Sequence, residues 1–442
     1  MTSPPGPPPQ SRARSGSKGS TPSGKRRGRS KGRHTRPSAT TYRRRRILLG
    51  AASLGLIFVA WLGISLGIAL TNQSYGVSYS ARFAEWGRDH HMGGLVTWLE
   101  KEYNALNPPK KGGKPAKGEI NAKAKAVSAL PASCKYATEP PKTVVSPAGP
   151  NLLGEGIWVG AGRLTAGCPG VWTTTVRPDA VHTSYVAGLA WMDPKLVSFT
   201  LYSGSQIPGG GPYSNTAPIK PTAAETLISA FNAGFRIQDA QGGYYTDNKT
   251  VSPLRLGAAS SVIYRDGTMN IGAWGTDVSM TPQVVSVRQN LDLIVANEKP
   301  AAGLTAADNA RWGATLGGAA TVWRSGMGVT ADGAIVYAGG PALTITALAD
   351  LLIRAGSVRA MELDINTDWV QYSIFSPLVG QPATPANGKP LLSNMAGGGS
   401  GPARYFASWW TRDFFTSSAR FAATAAMPAP KATTTTTTTK KK

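Results

Sequence analysis

The residues of this sequence best suited to chemistry are carboxylic acids in the segment MELDINTDW, residues 361–369. If this segment is a strand, Glu362 and Asp364 point to one face, because side chains two residues apart in a strand share a face. Two carboxyl groups held together repel each other unless one stays protonated or a cation lies between them, and such pairs serve acid/base or nucleophilic catalysis. An exposed strand face with both acids in solvent would show the same pattern. Asp368 and Trp369 follow in a predicted loop, where the indole could support a sugar ring.

Two further groups of residues complete the candidate site. The segment FNAGFRIQDAQGGYY, residues 231–245, contains Asn232 in an apolar, strand-like context and Tyr245 after a pair of glycines. This pattern indicates a loop where a ligand approaches the backbone, or simply a glycine-rich turn with aromatic packing. Arg324 is the one charged residue at the start of a predicted strand, in WRSGMG. A guanidinium group can donate two parallel hydrogen bonds to a phosphate. A surface arginine is the alternative.

Other catalytic signatures are missing from the sequence. Only one of its four histidines, His182, lies in the predicted globular part, and there is no Gly-Xaa-Ser-Xaa-Gly motif, P-loop or zinc-type cysteine spacing. Catalysis by Ser-His-Asp or by histidine-bound zinc is therefore disfavoured, and we expect neither a metal nor a cofactor. The two cysteines, Cys134 and Cys168, lie beyond a predicted membrane segment. An oxidising exterior favours a disulfide between them over two free thiols.

The elements that would position these residues are short strands and a few helices between about 150 and 420. Asp266-Gly267 and Asp332-Gly333 predict hairpin turns. Helices are predicted over 222–231, from a capping-box pattern, and over 344–356, which ends in glycine. Because the second helix leads directly into the acidic strand, an α+β fold with a mixed sheet is favoured over a pure sandwich.

Residues 47–70 form an uncharged run of 24 residues that follows four arginines, Arg43–Arg46. As a helix rising about 1.5 Å per residue, the run is about 36 Å long and can cross a hydrocarbon layer of about 30 Å. A cleaved signal peptide is the rival interpretation, but its apolar stretch is normally shorter. We expect an uncleaved signal anchor. Since basic residues stay on the cytoplasmic side, the N-terminus should be cytoplasmic and the bulk of the chain outside the cell membrane.

The formal charge of +24 comes mostly from outside the predicted domain. Residues 1–46 carry 14 basic and no acidic side chains, whereas residues 150–426 hold 18 basic and 17 acidic ones. The basic tail, 1–46, is predicted to be disordered and to attract anionic lipid of the cytoplasmic leaflet. Nucleic-acid binding is not expected, because the tail offers little aromatic surface for stacking on bases.

Three further segments are predicted from composition. Residues 71–127 form an amphipathic segment, which lies on the membrane surface or packs on the outer domain, followed by a Lys/Pro/Gly linker that acts as a spacer. Residues 128–426 form the extracytoplasmic domain. Residues 427–442 are predicted to be a disordered Thr/Lys tail.

Taken in order, these motifs resemble the phosphodiester glycosidase family over about 180–415. That family has an Asn-Gly-Gly-like strand end, an Arg-Thr-Ala-Ile-Gly-like strand opening a hairpin, and a helix leading into Ala-Xaa-Asn-Leu-Asp-Gly-Gly-Gly-Ser. This chain has FNAGF, RSGMGVTADGAIV and LADLLIRAGSVRAMELD, and a later GGGSGPARYF resembles the closing Gly-Xaa-Arg segment. The chain departs from the pattern after Asp364, where Ile-Asn-Thr-Asp replaces the glycines and serine, and at Glu362, which stands in place of Asn.

The resemblance implies an α+β, phosphodiester-glycosidase-like domain that hydrolyses a sugar-1-phosphate diester in a bacterial cell-envelope glycan or glycolipid. The departures fit either a different substrate or a domain that no longer hydrolyses. In the first case the site residues are two carboxylates, Glu362 and Asp364, two phosphate-binding arginines, Arg324 and Arg404, and four further substrate-binding residues, Asn232, Tyr245, Asp368 and Trp369. The alternative is a non-catalytic envelope protein that binds polysaccharide or a partner through the same cleft.

Overall fold

The computed structural model describes residues 38–76, 78–126, 130–305, 309–313, 320–395 and 401–426. Its first element is helix α1, Ala39–Thr71, the one helix of the described residues that is long and apolar enough to cross a membrane. The helix begins eight residues before the predicted apolar span and includes Arg43–Arg46, which the sequence assigns to a disordered tail. Arginine is a good helix former, so an apolar helix can continue through these residues. Residues 1–37 and 427–442 of the two predicted tails lie outside the described residues.

Two helices, α2 (Tyr79–Asp89) and α3 (Gly93–Leu106), follow and form a hairpin. Ser78 caps α2 by accepting a hydrogen bond from the Ala81 amide. The hairpin closes tightly where Gly87 meets Val96, since a Cβ at Gly87 would lie 2.7 Å from a Val96 methyl carbon. The helices pack on the domain that follows, the second of the two placements that the sequence left open.

The linker after α3 lies along the domain, although the sequence predicts a spacer. The Gly112 amide donates to the Val181 carbonyl at 2.7 Å, and Thr175 Oγ1 donates to the Glu119 carbonyl at 3.0 Å. Gly112 has φ 67°, a value that favours glycine. The backbone of this segment thus finds hydrogen-bond partners on the domain, a result that composition alone does not reveal.

The domain is built on three sheets whose strands pair antiparallel throughout the described residues. The largest has eight strands, each numbered by its place along the chain, and their spatial order is β1 Val159–Thr165, β2 Cys168–Val176, β3 Ala187–Met192, β14 Ile335–Leu343, β13 Val322–Thr330, β15 Ser357–Asp364, β11 Leu293–Ala296 and β12 Lys299–Pro300.

The other two sheets have five strands each. One runs in the order β7 Lys249–Ser252, β6 Tyr244–Thr246, β10 Val284–Gln289, β8 Ala259–Tyr264 and β9 Met269–Ala273. The other runs β17 Gly388–Pro390, β16 Tyr372–Phe375, β5 Leu227–Asn232, β18 Phe414–Ala419 and β4 Val197–Tyr202. Short helices α4 (Pro221–Ala224), α5 (Ile237–Ala240) and α6 (Asn309–Trp312) lie in the connections.

Helix α7, Ile345–Arg354, leads directly into the acidic strand β15, as the sequence predicts. Thr344 caps the helix by accepting from the Ala347 amide at 3.0 Å, and Gly356 turns the chain with φ 94°. The two predicted hairpins also form, since β8 and β9 flank Asp266-Gly267 and β13 and β14 flank Asp332-Gly333. The predicted α+β class is confirmed, but the strands of all three sheets pair antiparallel where a mixed sheet was predicted.

The helix predicted over 222–231 is wrong. The structure has one short helical turn, α4, and then strand β5, in which every residue is buried. The capping pattern at Thr222 and Glu225 is local, whereas β5 pairs with β16 and β18 on its two sides. Pairing and burial on both faces outweigh the helical propensity of the run.

An aromatic cluster lies where the eight-stranded sheet meets the sheet that contains β5. Phe231, Tyr337 and Tyr372 have ring centroids 4.9 to 5.6 Å apart and are fully buried. Such ring pairs add about 1 kcal/mol each beyond the area they bury. The cluster packs β5, which carries Asn232, and β16 against β14 of the eight-stranded sheet.

Cys134 and Cys168 form a disulfide that joins residues 34 apart in sequence, with Cα atoms 5.7 Å apart. It ties the segment before β1 to the first residue of β2. Replacing both cysteines by serine should lower the free energy of unfolding by about 3 kcal/mol, because the unfolded chain gains the entropy of an open loop. Urea denaturation of the detergent-solubilised chain measures this loss, and an unchanged midpoint would contradict it.

Candidate active site

A cavity of about 1220 Å³ lies at the end of the acidic strand. Its walls come from the α2–α3 hairpin, the loop after β5, the entry to β13 and the loop that follows β15. The lining includes the following side chains: Phe83, Glu85, Arg88, Leu99, Glu100, Tyr103, Phe235, Arg236, Asp239, Trp323, Asp364, Asp368, Trp369 and Arg412. A second cavity, of about 730 Å³, contains none of the residues that the sequence predicts for the site.

Asp364 is the last residue of β15 and reaches this cavity. Its Oδ1 accepts hydrogen bonds from the amides of Ile365 and Asn366, at 2.8 and 3.0 Å. Both of the hydrogen bonds that its carboxyl group makes within the described residues end on Oδ1, and none ends on Oδ2. Burial raises the pKa of Asp364 to about 7, against the opposing effects of Arg412 and the two amides. A carboxyl group of this kind can exchange a proton near neutral pH.

Asn232 holds Asp364 in place from behind and does not face the cavity. It is 6% exposed at the end of β5, and its Nδ2 donates to Ser325 Oγ at 3.1 Å. Ser325 Oγ in turn accepts from the Asp364 amide at 3.2 Å. Asn232 Oδ1 accepts from the Tyr337 hydroxyl and from the Gln371 amide, so the side chain links β13, β14 and the residue before β16. This pattern is that of a positioning residue.

Glu362 and Arg324 form a buried ion pair beside Asp364, with Oε1 and Nη1 2.6 Å apart and both side chains 1% exposed. Arg324 also donates to the Leu343 carbonyl at 3.1 Å. Burial raises the pKa of Glu362 to about 7, with Arg324 opposing the shift and Asp364 adding to it. Glu362 Oε2 faces Gly313, where a Cβ would lie 2.8 Å away, and has no hydrogen-bond partner among the described residues.

Arg404 lies behind the loop after β15. It is 1% exposed, donates to the Asp368 carbonyl at 2.8 Å, and sits 4.6 Å from the centroid of the Trp410 ring. Burial lowers the pKa of Arg404 to about 10. Asp368 itself lines the cavity, and its Oδ2 accepts from Ser78 at 3.3 Å. Burial raises the pKa of Asp368.

Trp369 and Tyr245 differ in their positions. Trp369 lines the cavity, 4% exposed, and its ring carries the guanidinium of Arg412 at 4.3 Å. Tyr245 packs against the cluster around Val262 and Trp274 and is not among the residues that line the cavity. The structure thus brings Asp364, Asp368 and Trp369 to the cavity itself. It places Asn232, Glu362, Arg324 and Arg404 behind it, as supports.

Two cavity residues that sequence reasoning missed are Arg236 and Arg412. Arg236 follows β5, and Arg412 precedes β18, the strand that pairs with β5. Both contact Glu85 of α2, at 2.9 Å from Arg236 and 3.6 Å from Arg412. A signal for Arg236 was present in the sequence, since it belongs to the same FNAGFRIQDAQGGYY segment as Asn232. For Arg412, in WWTRDFF, the sequence signal was no more than a basic residue among aromatic ones.

A fully buried ion pair fixes the two segments that carry these arginines. Arg288 Nε and Asp413 Oδ2 are 2.6 Å apart, with side chains 0% and 1% exposed. Arg288 also donates to the carbonyl groups of Phe235 and Gln289. The pair therefore ties the residue next to Arg236 to the residue next to Arg412. Among the described residues there is no group of three or more His, Cys, Asp or Glu side chains that could hold a metal ion.

The raised pKa of Asp364 predicts a pH-dependent stability. The unfolded side chain titrates near 4 and the folded one near 7, so the folded state holds the extra proton between these values. The stabilising contribution is complete below about pH 4 and is lost as the pH rises to 7. Because of Asp364, the free energy of unfolding of the wild type should fall by about 1 kcal/mol per pH unit in this window, and Asp364→Asn should lack this fall. Denaturation of the wild type and the variant at pH 5, 6 and 7 measures the difference, and equal slopes would contradict it.

Comparison with known proteins gives no family assignment. No family model matches the sequence, and no curated protein matches it. Among solved structures, the chain is similar to the catalytic domain of zebrafish N-acetylglucosamine-1-phosphodiester alpha-N-acetylglucosaminidase, auto-inhibited by its pro-peptide. The TM-score is 0.36 at 14% identity, over 58% of this chain and 86% of that one.

Two other solved structures show a weaker similarity. A hypothetical protein from Synechocystis gives a TM-score of 0.32 at 11% identity, over 57% of this chain and 63% of that one. A protein from Burkholderia pseudomallei K96243 gives 0.28 at 11% identity, over 52% and 73%. All three scores are below 0.5, and no family membership follows from them.

Proposed function

We propose that this chain is a membrane-anchored hydrolase that cleaves a sugar-1-phosphate diester of a cell-envelope glycan or glycolipid. The observation that carries the proposal is Asp364, whose carboxyl group, with a pKa of about 7, reaches a large cavity that also contains guanidinium groups. A phosphodiester is a monoanion, which guanidinium groups bind well. A carboxyl group that titrates near neutral pH is suited to proton transfer in the same cavity.

In the proposed reaction, Asp364 is the general base. A water molecule gives a proton to Oδ2 as its oxygen attacks the anomeric carbon of the sugar. The bond between that carbon and the phosphate oxygen breaks, and its electron pair stays on the oxygen, so the products are a free sugar and a phosphate monoester. The leaving phosphate needs no proton, because it is already a weak base, and one carboxylate therefore suffices for this step.

The residues behind the cavity keep Asp364 in position. Asn232 donates to Ser325, whose hydroxyl accepts from the Asp364 amide, so these two residues fix the backbone of Asp364. The Arg324–Glu362 ion pair is buried beside it. The cavity wall is partly apolar, with Phe83 and Trp323 among its aromatic residues. Such side chains supply the flat surface on which a sugar ring can pack.

The proposed location follows from helix α1 and the basic residues before it. With Arg43–Arg46 on the cytoplasmic side, the N-terminus is cytoplasmic and the residues that follow the helix lie outside the membrane. The basic tail then lies next to anionic lipid of the cytoplasmic leaflet.

A non-catalytic envelope protein on the same fold is the second candidate. It is favoured by the carboxylate of Glu85, which lies against the cavity arginines, and by the segment after Asp364, which departs from the family pattern. Such a protein would bind polysaccharide or a partner protein through the cavity without hydrolysing anything.

The two candidates are separated by incubating the detergent-solubilised full chain with methyl phosphodiesters of several sugars, among them N-acetylglucosamine, glucose and galactose. Phosphorus NMR detects the monoester, and a reducing-sugar assay detects the free sugar. We expect one member of the panel to be hydrolysed. If none is hydrolysed, while glycan binding is measurable and equal in the wild type and in Asp364→Asn, the hydrolase proposal fails and the binding protein replaces it.

A further inference from the structure

Glu85, on helix α2, extends its carboxylate into the cavity and meets three arginines there. Its oxygens lie 2.9 Å from Arg236 Nη1, 3.4 Å from Arg88 Nη1 and 3.6 Å from Arg412 Nη2. The Glu85 side chain is 12% exposed, and the three arginine side chains are 10% to 14% exposed. One carboxylate thus sits at the centre of a mostly buried group of cations.

Three arginines face three carboxylates in this group, but the carboxylates are shared unevenly among the arginines. Arg88 has a second carboxylate partner in Glu100, at 2.8 Å, and Arg236 has one in Asp239, also at 2.8 Å. For Arg412, the described residues offer only Glu85 as an ion-pair partner within 4 Å. Arg412 Nη1 is buried and has no hydrogen-bond partner among them.

A buried guanidinium with a free N–H group is costly unless a ligand completes it. The Trp369 ring holds the Arg412 guanidinium at 4.3 Å, so the group is already oriented and does not have to be ordered when a ligand binds. The buried Arg288–Asp413 pair fixes the neighbouring backbone on both sides. These features describe a prepared site for an anion with at least two oxygens.

We propose that Arg236 and Arg412 form the phosphate-binding subsite of the cavity, and that the Glu85 carboxylate occupies it until a phosphodiester displaces it. The inference rests on the proposed function for the identity of the ligand as a phosphodiester. Arg236 and Arg412 thereby take the phosphate-binding role that the sequence assigns to Arg324 and Arg404. Arg324 is paired with Glu362, and Arg404 donates to the Asp368 carbonyl. Glu85 then acts as an internal competitor for the substrate.

The position of the subsite suits the reaction. Arg412 is close enough to Asp364 to lower the pKa of that carboxyl group, and Glu85 is close enough to raise it. A phosphate bound to Arg236 and Arg412 would therefore place its sugar near Asp364. Near the start of α2, its capping residue Ser78 donates to Asp368, and Thr411 donates to the carbonyl group of Ser74 in the segment before the helix.

The test measures binding of dimethyl phosphate, a diester without a sugar, to the detergent-solubilised full chain by calorimetry. Glu85→Gln keeps the size of the side chain and removes its charge, and it should tighten binding about tenfold, the equivalent of one charge-assisted contact. Arg412→Gln and Arg236→Gln, each made in the Glu85→Gln background, should each reverse this gain. Glu102→Gln removes the same charge from an exposed position on the same hairpin and should leave binding within about twofold.

The results separate this inference from the proposed function. If Glu85→Gln binds dimethyl phosphate no more tightly than the wild type, or if both arginine variants retain the gain, the subsite assignment is overturned even when diesters are hydrolysed. If the binding changes appear as expected and no sugar diester is hydrolysed, the anion subsite stands and the hydrolase proposal fails. Using two arginine variants guards against misfolding of one, and thermal melting of each shows whether it folds.

Discussion

Asp364→Asn should lower the hydrolysis of a sugar-1-phosphate diester about a thousandfold, the usual loss when a general base is removed. The change is nearly isosteric. The Asn Oδ1 can still accept the amides of Ile365 and Asn366, which both end on Oδ1 in the wild type. Only Oδ2, the atom that would take the proton of the attacking water, is replaced by a group that cannot accept one.

The pH profile gives this prediction a second readout. A base with a pKa of about 7 is half ionised at that pH, so the wild-type rate should rise through pH 7 and level off above it. The residual rate of Asp364→Asn should show no such step. The rate constant kcat, measured from pH 5 to 9, distinguishes the two profiles.

The control for Asp364→Asn is the same substitution at Asp350, on the outer helix α7, where the side chain is 41% exposed and pairs with Arg354. That variant should keep the wild-type rate. A loss below tenfold in Asp364→Asn, with the step at pH 7 still present, would show that another group is the base.

Asp413→Asn should lower the free energy of unfolding by about 3–5 kcal/mol, the usual effect of leaving one partner of a buried ion pair uncompensated. Arg288 is completely buried, and its nearest counter-charge is Asp413 at 2.6 Å. Its other hydrogen bonds go to the carbonyl groups of Phe235 and Gln289, which do not neutralise its charge. Urea denaturation measures the loss.

Two controls show whether the loss comes from the buried charge. Replacing both partners by apolar residues, Arg288→Met with Asp413→Leu, should cost less than Asp413→Asn alone, since no uncompensated charge then remains. Asp350→Asn breaks an ion pair on the surface and should cost less than about 1 kcal/mol. If Asp413→Asn costs no more than the surface variant, the pair does not hold the segments of Arg236 and Arg412 together.

Local patterns in the sequence predicted several elements correctly. The Asp-Gly pairs at 266–267 and 332–333 form hairpin turns, and the helix that ends before Gly356 leads into the acidic strand. These features depend on backbone conformations that one or two residues impose, so a short window contains the information. The run at 222–231 shows the limit of such a window, since an apolar stretch with a helical start becomes a strand when partners lie on both sides.

The candidate site could be predicted only in part, for a related reason. Residue type and spacing identified Asp364 and two of the loop residues that line the cavity, Asp368 and Trp369, because all three belong to one segment. Arg324 and Arg404 carried the right chemistry for phosphate. Their partners, Glu362 and the Asp368 carbonyl, hold them behind the cavity. A charge in a sequence does not show which other charge will neutralise it.

The sequence by itself determined the apolar helix, the α+β class and the acidic strand end, each through the composition or periodicity of a continuous segment. Only the tertiary structure decided that Glu85, Arg236 and Arg412 meet in one cavity. These residues come from three distant segments, which are joined by the pairing of β5 with β18 and by the packing of α2 on the domain. Strand order and burial set those distances, and both arise from the free energy of the whole chain rather than from any local pattern.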